Sequence, residues 1–346
     1  MCNCKQGSHN CLAFFIFAFM KKLVFLFLTV YHFGLAQEQV VRSVLLDSVT
    51  VTGIKEGFNI DEFIHYVKED TTFYMAFKHL RFYTHNYKSE LYIYNKNNQK
   101  IGELKRWGSH FSDGQHAWVV DDSIYNKGKI FTKKVSRILR KNKDTSLSVF
   151  SKIHTVKDKY KYYTPEAFDE VFFPIDTIDV SLKISDKKNK NESQNMRDAK
   201  TVGFSVGEDD TEQKKGGMSV KLAVFDISMQ KYYNYKIDTC TYKDRSCYSF
   251  TIEVKKDLSD KDMEEALVRK IVSYFDKDNF NVIFREYKFV YNHWIVDLDM
   301  HVIVHMDYFK DKHIPTDIYY KGFWDVPFFK LERATFRLSL SDYQVN

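Results

Sequence analysis

The fold is decided by the stretch Trp294–Tyr308, which reads WIVDLDMHVIVHMDY. All of its even-numbered positions are apolar, whereas most of its odd-numbered positions hold aspartate or histidine. Successive side chains of a strand point to opposite faces of a sheet, so this alternation predicts one buried face and one solvated face. The pattern is typical of an antiparallel sheet, because the strands of parallel sheets are usually buried on both faces.

Further strands are predicted on both sides of this stretch. In chain order they are VVRSVLLDSVTVT, ELYIY, KIGELKRW, KLAVFDI, KYYNYKID, SCYSFTIEV and FNVIFREYKFVY. The content of 30 Phe and 23 Tyr agrees with this interpretation, because aromatic rings pack well on a pleated surface. Strands and helices do not alternate along the chain, which argues against a doubly wound fold. The sequence therefore predicts the α+β class: predominantly antiparallel β, as a curved sheet or half-open barrel with a few helices packed on it.

Four short segments carry helix signals. The first begins after the capping residue Asn59 and the second after Thr72. The third has Thr164 as its cap and Pro165 at its first helical position, and the fourth runs from Ser259 to Ile271. Their apolar faces, which must be buried against other elements, consist of Ile60, Phe63, Ile64 and Val67; Phe73, Phe77 and Leu80; Phe168, Val171 and Phe172; and Met263, Leu267 and Ile271.

The first 36 residues predict export across a membrane. Lys21-Lys22 precedes the apolar stretch Leu23–Phe33, and Gly34-Leu35-Ala36 offers small residues before a cut at Gln37. This is the arrangement of a signal peptide, with Met20 as a candidate start. An uncleaved anchor is the less favoured alternative, because the lysines divide the apolar run into pieces too short to span a bilayer. We therefore expect a periplasmic or secreted protein.

The domain organisation follows from one change in composition. Ser185–Gly217 is polar and charged and has few apolar residues, so it predicts a mobile loop or linker. The predicted organisation is a signal peptide at 1–36, helices and strands of a β-rich domain at 37–184, this loop at 185–217, and further antiparallel strands of the same sheet at 218–346.

Two cysteines, Cys240 and Cys247, follow the predicted signal peptide. They flank a polar turn, and hairpin pairing about Lys243-Asp244 would place them opposite each other. In an exported protein such a pair can form a disulfide. Spacing alone does not fix the geometry of the two thiols, so a disulfide and two unpaired strand cysteines both stay open.

Three patterns that suggest chemistry have simpler explanations. Gly203–Gly207 matches G-x-S-x-G, but neither a buried strand nor a packed helix flanks Ser205 as that motif requires. The acids and histidines at the odd positions of 297–307 are expected on the solvated face of a strand and lack a compact metal-ligand signature. The basic stretch Ser123–Lys143 is expected to be a solvated face, with contact to an anionic surface as the weaker alternative. The sequence predicts no catalytic residue, metal or cofactor.

Two parts of the chain resemble a known family. They are FDKDNFNVIFREYKF at Phe275–Phe289 and the closing strands IYYKGFWDVPFFK and ATFRLSL within Ile318–Leu340, and they resemble the periplasmic lipoprotein-carrier fold. The resemblance is architectural, covers about the last third of the chain well, and carries over no functional residue. It implies a half-open antiparallel barrel with helices as a lid over a cavity for acyl chains. The composition is also similar to that of exported proteins from Bacteroidetes-type bacteria.

Two kinds of function remain. If the aromatic sheet and the helices leave a gap, the chain binds a hydrophobic ligand such as a lipid or a lipoprotein acyl chain, gaining about 0.8 kcal/mol per buried CH₂ group. If the aromatic rings fill the core, the chain is a structural or protein-interaction component of the envelope. A hydrolase is the least favoured alternative. Nucleic acid is not expected as a partner, because residues 1–36 hold three lysines and no acid, leaving 49 Lys and Arg against 46 Asp and Glu. The candidate ligand face consists of Trp294, Val296, Leu298, Met300, Val302, Val304 and Met306.

Overall fold

The structure is a computed structural model. It describes residues 49–51, 60–70, 72–133, 136–137, 160–173, 177–180, 224–293, 296–325 and 330–345, all within the compact unit Leu45–Asn346. The predicted signal peptide at 1–36, the predicted loop at 185–217 and Trp294 lie outside the described residues.

Strands make up most of the described chain. They are β1 (Val49–Val51), β2 (Thr84–Tyr94), β3 (Lys100–Ser112), β4 (His116–Gly128), β5 (Ile178–Asp179), β6 (Tyr233–Tyr242), β7 (Arg245–Val254), β8 (Val268–Asp276), β9 (Val282–His293), β10 (Val296–Phe309), β11 (Lys312–Asp325) and β12 (Glu332–Gln344). The helices are α1 (Ile60–Glu69), α2 (Thr72–His79), α3 (Tyr163–Phe172), α4 (Ile227–Gln230) and α5 (Asp260–Glu265). Within the described ranges, no helix is both long enough and apolar enough to cross a membrane.

These strands form one open sheet in the order β1-β6-β7-β8-β9-β10-β11-β12-β2-β3-β4-β5. Strands β6 to β12 form one antiparallel meander and β2 to β5 form another, and the two join where β12 pairs with β2. The pairing of β1 with β6 is parallel. The predicted class, a predominantly antiparallel α+β fold with a few helices on the sheet, is therefore confirmed.

One face of the sheet, here called the covered face, carries the core. A row of opposed side chains runs across it from Tyr287 on β9 through Val302, Tyr320 and Phe336 to Leu91 on β2. Each of these side chains is at most 5% exposed. The alternation that predicted β10 thus extends across neighbouring strands, because opposed residues of an antiparallel pair share a face. The other side of the sheet is called the outer face below.

Helices α1, α2 and α3, which we call the lid, pack on the covered face. Phe63 of α1 lies against Phe250 and Phe275, with ring centroids 6.0 and 5.5 Å apart. Phe168 of α3 lies against the ring of Phe336 at 4.4 Å. Phe63 and Phe168, each read from the sequence as part of an apolar helix face, are therefore buried against aromatic rings of the sheet, where such pairs add to the stabilisation from burial.

The start of α3 differs from the prediction. The helix begins at Tyr163, one residue before Thr164, and no side chain of the flanking residue Tyr162 caps it. The backbone N–H of Thr164 instead donates a 2.7 Å hydrogen bond to Oε1 of Glu332 on β12. A capping partner that comes from a strand far along the chain leaves no local sign in the sequence.

Two other predicted elements were wrong. The helix predicted over Ser259–Ile271 is limited to Asp260–Glu265, and Ile271 lies in β8, where β-branched residues favour a strand. The strand predicted over KLAVFDI is not formed in its described part, because residues 224–226 form a turn before α4. The Asp226 side chain then accepts the hydrogen bond of the Ser228 N–H and starts that helix.

Candidate ligand site beneath the helices

A buried charge pair anchors α1 and α2 to the sheet. Nη2 of Arg285, on β9, lies 3.4 Å from Oδ2 of Asp70, between the two helices, and Nε donates to Oγ of Ser273 at 3.0 Å. The Arg285 guanidinium also lies over the ring of Phe73, 4.4 Å from its centroid. Oδ1 of Asp70 accepts a 3.0 Å hydrogen bond from the Thr72 N–H, at the start of α2. Loss of either charged partner would leave the other buried and uncompensated.

A second pair of the same composition anchors α3. Arg106 on β3 forms a buried ion pair with Asp169 of α3, and its guanidinium lies 4.6 Å from the ring centroid of Phe173. The hydroxyl of Tyr160 donates to Oδ2 of Asp169 at 2.6 Å. Burial, together with the Asp169 carboxylate, raises the pKa of Tyr160 well above its ordinary value, so its hydroxyl keeps its proton. The lid is therefore anchored at two separate places.

A small cavity lies between these two anchored parts of the lid. Its volume is about 30 Å³, and its walls come from α2, α3 and the strands β2, β3, β5 and β12. The lining side chains are Phe77, Leu80, Arg81, His85, Tyr87, His110, Val171, Phe172, Phe173, Ile178, Leu338 and Leu340. A cavity of this size holds about one or two water molecules, whereas ordinary small-molecule sites measure roughly 300 Å³ or more. An acyl chain fits here only if α2 and α3 separate.

Two stacked histidines form, together with Arg81, the polar part of the cavity wall. The imidazole rings of His85 and His110 are parallel within 16° and 4.6 Å apart, and both are buried. Both Nδ1 atoms lie within hydrogen-bond distance of the Tyr83 carbonyl oxygen, at 2.9 and 3.1 Å. A carbonyl oxygen only accepts, so both Nδ1 atoms carry the hydrogen and both Nε2 atoms are acceptors. Burial, helped by His110, lowers the pKa of His85 to about 3, and burial lowers that of His110 to about 4.

The ligand face predicted on β10 forms part of the floor under the lid. Five of its side chains are at most 5% exposed: Leu298, Met300, Val302, Val304 and Met306. None of these five lines the cavity, which lies over β12, β2 and β3 instead. The side chain of Val296 lies outside the described residues, as does the whole of Trp294. A role for this face in ligand binding therefore stays a prediction.

The polar side chains of β10 lie on the outer face. Nε2 of His301 donates to Oε1 of Glu286 at 2.8 Å, and His305 forms a hydrogen bond with Tyr242. In the part of the chain that the structure describes, no group of three or more His, Cys, Asp or Glu side chains is arranged to hold a metal ion. The Gly203–Gly207 segment lies outside the described residues.

Cys240 and Cys247 lie directly opposite each other in the hairpin of β6 and β7. The turn residues Lys243 and Asp244 both have positive φ, 49° and 63°, which is the geometry of the tight turns that match the twist of a hairpin. Both thiols are free, and burial raises the pKa of Cys247 to about 11. The disulfide stays a prediction.

The two anchors were not identified from the sequence, although a signal exists for one of them. Arg285 occupies a position that the alternation assigns to the apolar face of β9, between Ile283 and Tyr287, whereas Arg106 follows no such pattern in β3. An arginine at such a position must find a buried carboxylate, because an unpaired charge in the core is too costly. The partners themselves cannot be read from the sequence, since Asp70 lies 215 residues from Arg285.

Comparison with known proteins finds two solved structures that are distantly similar to this chain. No protein-family model and no curated protein matches the sequence. One similar structure is a DUF1329 family protein from Desulfovibrio piger, 10% identical over 83% of this chain and 91% of that chain, with a TM-score of 0.22. Another is an outer membrane lipoprotein-sorting protein domain from Vibrio parahaemolyticus, 8% identical over 75% of this chain and 84% of that chain, also at 0.22. A TM-score of 0.22 is too low to argue a shared fold or function from either.

Proposed function

We propose that this protein binds the apolar chain of a lipid or lipidated partner between the lid and the covered face of the sheet. The observation that carries the proposal is the cavity between α2 and α3, the two parts of the lid that are anchored separately. A chain that enters there meets Phe77 and Leu80 on one side and Phe172 on the other, with Leu340 in the sheet below. Apolar walls with a few polar groups are typical of small-molecule sites.

The binding step requires the lid to open along this line. The two anchors hold α2 through Asp70 and α3 through Asp169, so separating the helices need not break either buried ion pair. Opening exposes the apolar side chains that line the cavity, and a bound acyl chain would cover them again. The protein would then alternate between a closed form without ligand and an open form that holds the ligand.

Titration of the delipidated protein with a fluorescent fatty-acyl probe tests the proposal. Wild type should bind with micromolar or tighter affinity, and Leu340→Phe should weaken binding by filling the cavity. Leu331, which is 42% exposed, provides the matched control, because Leu331→Phe makes the same change on the surface. Absence of any probe binding would end the proposal, and unchanged binding by Leu340→Phe would exclude this cavity as the site.

An interaction or structural role in the envelope is the second candidate. The small volume of the cavity favours it, because a core that is nearly filled leaves a ligand little space. Native mass spectrometry of protein purified from its own source separates the two candidates. A co-purified lipid supports binding, whereas a lipid-free protein associated with another polypeptide supports the interaction role.

We also propose that the protein is exported. The support is the sequence of residues 1–36, with its two lysines, apolar stretch and small residues before Gln37. The intact mass of the native protein should correspond to a chain that begins at Gln37. A native chain that retains residues 21–36 in the membrane fraction would contradict this proposal.

A further inference from the structure

The outer face carries a groove whose charge is not balanced by the protein. Its volume is about 570 Å³, and it lies across β9 to β12 and the end of β2. Three cationic side chains line it, Lys288, Lys321 and Arg333, against the single carboxylate of Asp299. This volume is within the range of small-molecule sites, which run from roughly 300 to 1,000 Å³.

The two lysines belong to one row of side chains across the sheet. His301 on β10 is directly opposite Lys288 on β9 and directly opposite Lys321 on β11. The two lysines therefore lie on the same face with one histidine between them, so that a single anion bound over this row lies near both. The nearby carboxylate of Glu286 already contacts His301 at 2.8 Å and Lys270 at 3.7 Å. Among the described residues, no ion pair joins Lys288 or Lys321 to a carboxylate.

Arg333 completes the cationic side of the groove. One of its nitrogens donates to the Lys96 carbonyl at 2.6 Å, and its guanidinium lies 5.5 Å from the ring centroid of Phe323. These two contacts fix the plane of the guanidinium while other N–H groups remain for a ligand, since arginine has five. Asp299 is opposite Phe323, one row of side chains away from the lysines.

Aromatic rings lie beside the cations. Tyr94, Tyr319 and Phe323 line the same groove and are half-buried, so each presents part of an apolar ring to a ligand. An inorganic anion would use the charges of the groove but none of these rings. A phosphate ester that carries an apolar part would use both.

We propose that this groove binds the phosphate headgroup of an anionic phospholipid. Lys288 and Lys321 contact the phosphate as point charges, and Arg333 donates to its oxygens in the fixed geometry of its guanidinium. The rings hold the glycerol and the first carbons of the chains. The site lies on the outer face, on the opposite side of the sheet from the cavity beneath the lid, so either site can exist without the other.

Vesicle binding of the full chain tests the proposal. Wild type should bind phosphatidylglycerol vesicles and not phosphatidylcholine vesicles, and binding should weaken as salt rises. Lys288→Gln/Lys321→Gln should reduce the affinity roughly 30-fold, about fivefold for each lysine. The matched control is Lys236→Gln/Lys312→Gln, which makes the same change in net charge at two lysines that each pair with a carboxylate at 2.8 Å. The control variant should bind like wild type.

Each outcome supports or contradicts the proposal. A selective loss in the groove variant, with an unchanged unfolding temperature, supports it. Equal loss in both variants would mean that net charge alone drives binding, and equal binding to both lipids would mean that the phosphate charge is not recognised. Binding of soluble glycerol 3-phosphate at the groove without binding of vesicles would contradict the assignment to a phospholipid. Acyl-probe binding by the groove variant should stay as in wild type.

Discussion

The carboxylate of Glu332 on β12 accepts a 2.7 Å hydrogen bond from the backbone N–H of Thr164 in the first turn of α3. Glu332 is fully buried, and among the described residues its Oε2 has no hydrogen-bond partner. The first N–H groups of a helix need acceptors, and a carboxylate is favoured at this end. Burial nevertheless dominates and raises the pKa of Glu332 to about 7. A strand thus caps a lid helix with a side chain that is neutral below neutral pH.

Replacing Glu332 by glutamine should stabilise the protein at pH 8 and change little at pH 4.5. The folded state binds the proton up to about pH 7, whereas the unfolded state releases it near the ordinary value of 4.5. The stability that this proton contributes is present below pH 4.5 and lost as pH rises through 7. Chemical unfolding of both proteins at several pH values should show a difference that grows to on the order of 3 kcal/mol. A difference independent of pH would mean that Glu332 does not titrate in this range.

The buried pair of Arg106 and Asp169 should couple strongly in a double-mutant cycle. Arg106→Met and Asp169→Leu should each lower the free energy of unfolding by about 3–5 kcal/mol, because each removes the ion-pair partner of a buried charge. The double variant should cost clearly less than the sum of the two, since it removes both charges. Urea unfolding of the four proteins gives the coupling energy.

The exposed pair of Asp311 and Lys312 is the control for this cycle. Its side chains are 75% and 44% exposed, so the same kind of cycle should give a coupling of about 0–1 kcal/mol. If the double-mutant cycle of Arg106 and Asp169 gave a coupling energy as small as that of Asp311 and Lys312, the buried pair would not anchor α3.

The stacked histidines should make the protein sensitive to acid. In the folded state His85 and His110 stay neutral down to pKa values of about 3 and 4, whereas in the unfolded state they take up protons near the ordinary 6.5. Their contribution to stability is therefore present above pH 6.5 and lost as pH falls through 4. Between pH 7.5 and 4.5 the variant His85→Phe/His110→Phe should therefore lose less stability than wild type, by on the order of 4 kcal/mol.

Denaturant unfolding at these two pH values measures the effect. His116→Phe is the control, because the His116 side chain is 52% exposed. That variant should lose as much stability as wild type between the two pH values. If His85→Phe/His110→Phe also lost as much stability as wild type between the two pH values, the buried histidine pair would not resist protonation.

The strands were predictable because their signal is local. The alternation of apolar and polar residues in β10 is complete within one strand, so it predicts the strand and its faces without knowledge of any partner. The class of the fold followed from several such strands. The exceptions are α5 and the start of α3, where helical spacing over Ser259–Ile271 and a Thr-Pro pair gave signals that tertiary contacts overrode. The turn at residues 224–226 is a third exception.

The candidate site was not predictable because it is assembled by distant pairings. Leu340 reaches the cavity because β12 pairs with β2, which places it opposite Tyr87, more than 200 residues earlier in the chain. The sequence pointed to β10 as the ligand face, since that strand has the clearest alternation. A clear alternation, however, shows only which side chains of a strand are buried. A cavity arises where two helices that cover the sheet fail to meet, and no local sequence pattern encodes the positions of those helices.

The cysteine pair gives the last prediction, which concerns redox state. Cys240 and Cys247 are opposite each other in a hairpin, so oxidation should join them without movement of the strands. Oxidation should be slow, because burial raises the pKa of Cys247 to about 11 and the reactive thiolate is scarce near neutral pH.

Incubation with oxidised glutathione should lower the intact mass by two hydrogens in wild type and not in Cys240→Ser. The oxidised protein should unfold at a higher urea concentration than the reduced one, as expected when a cross-link restricts the unfolded chain. Mixed glutathione adducts without the internal bond would show that the two sulfurs cannot reach each other.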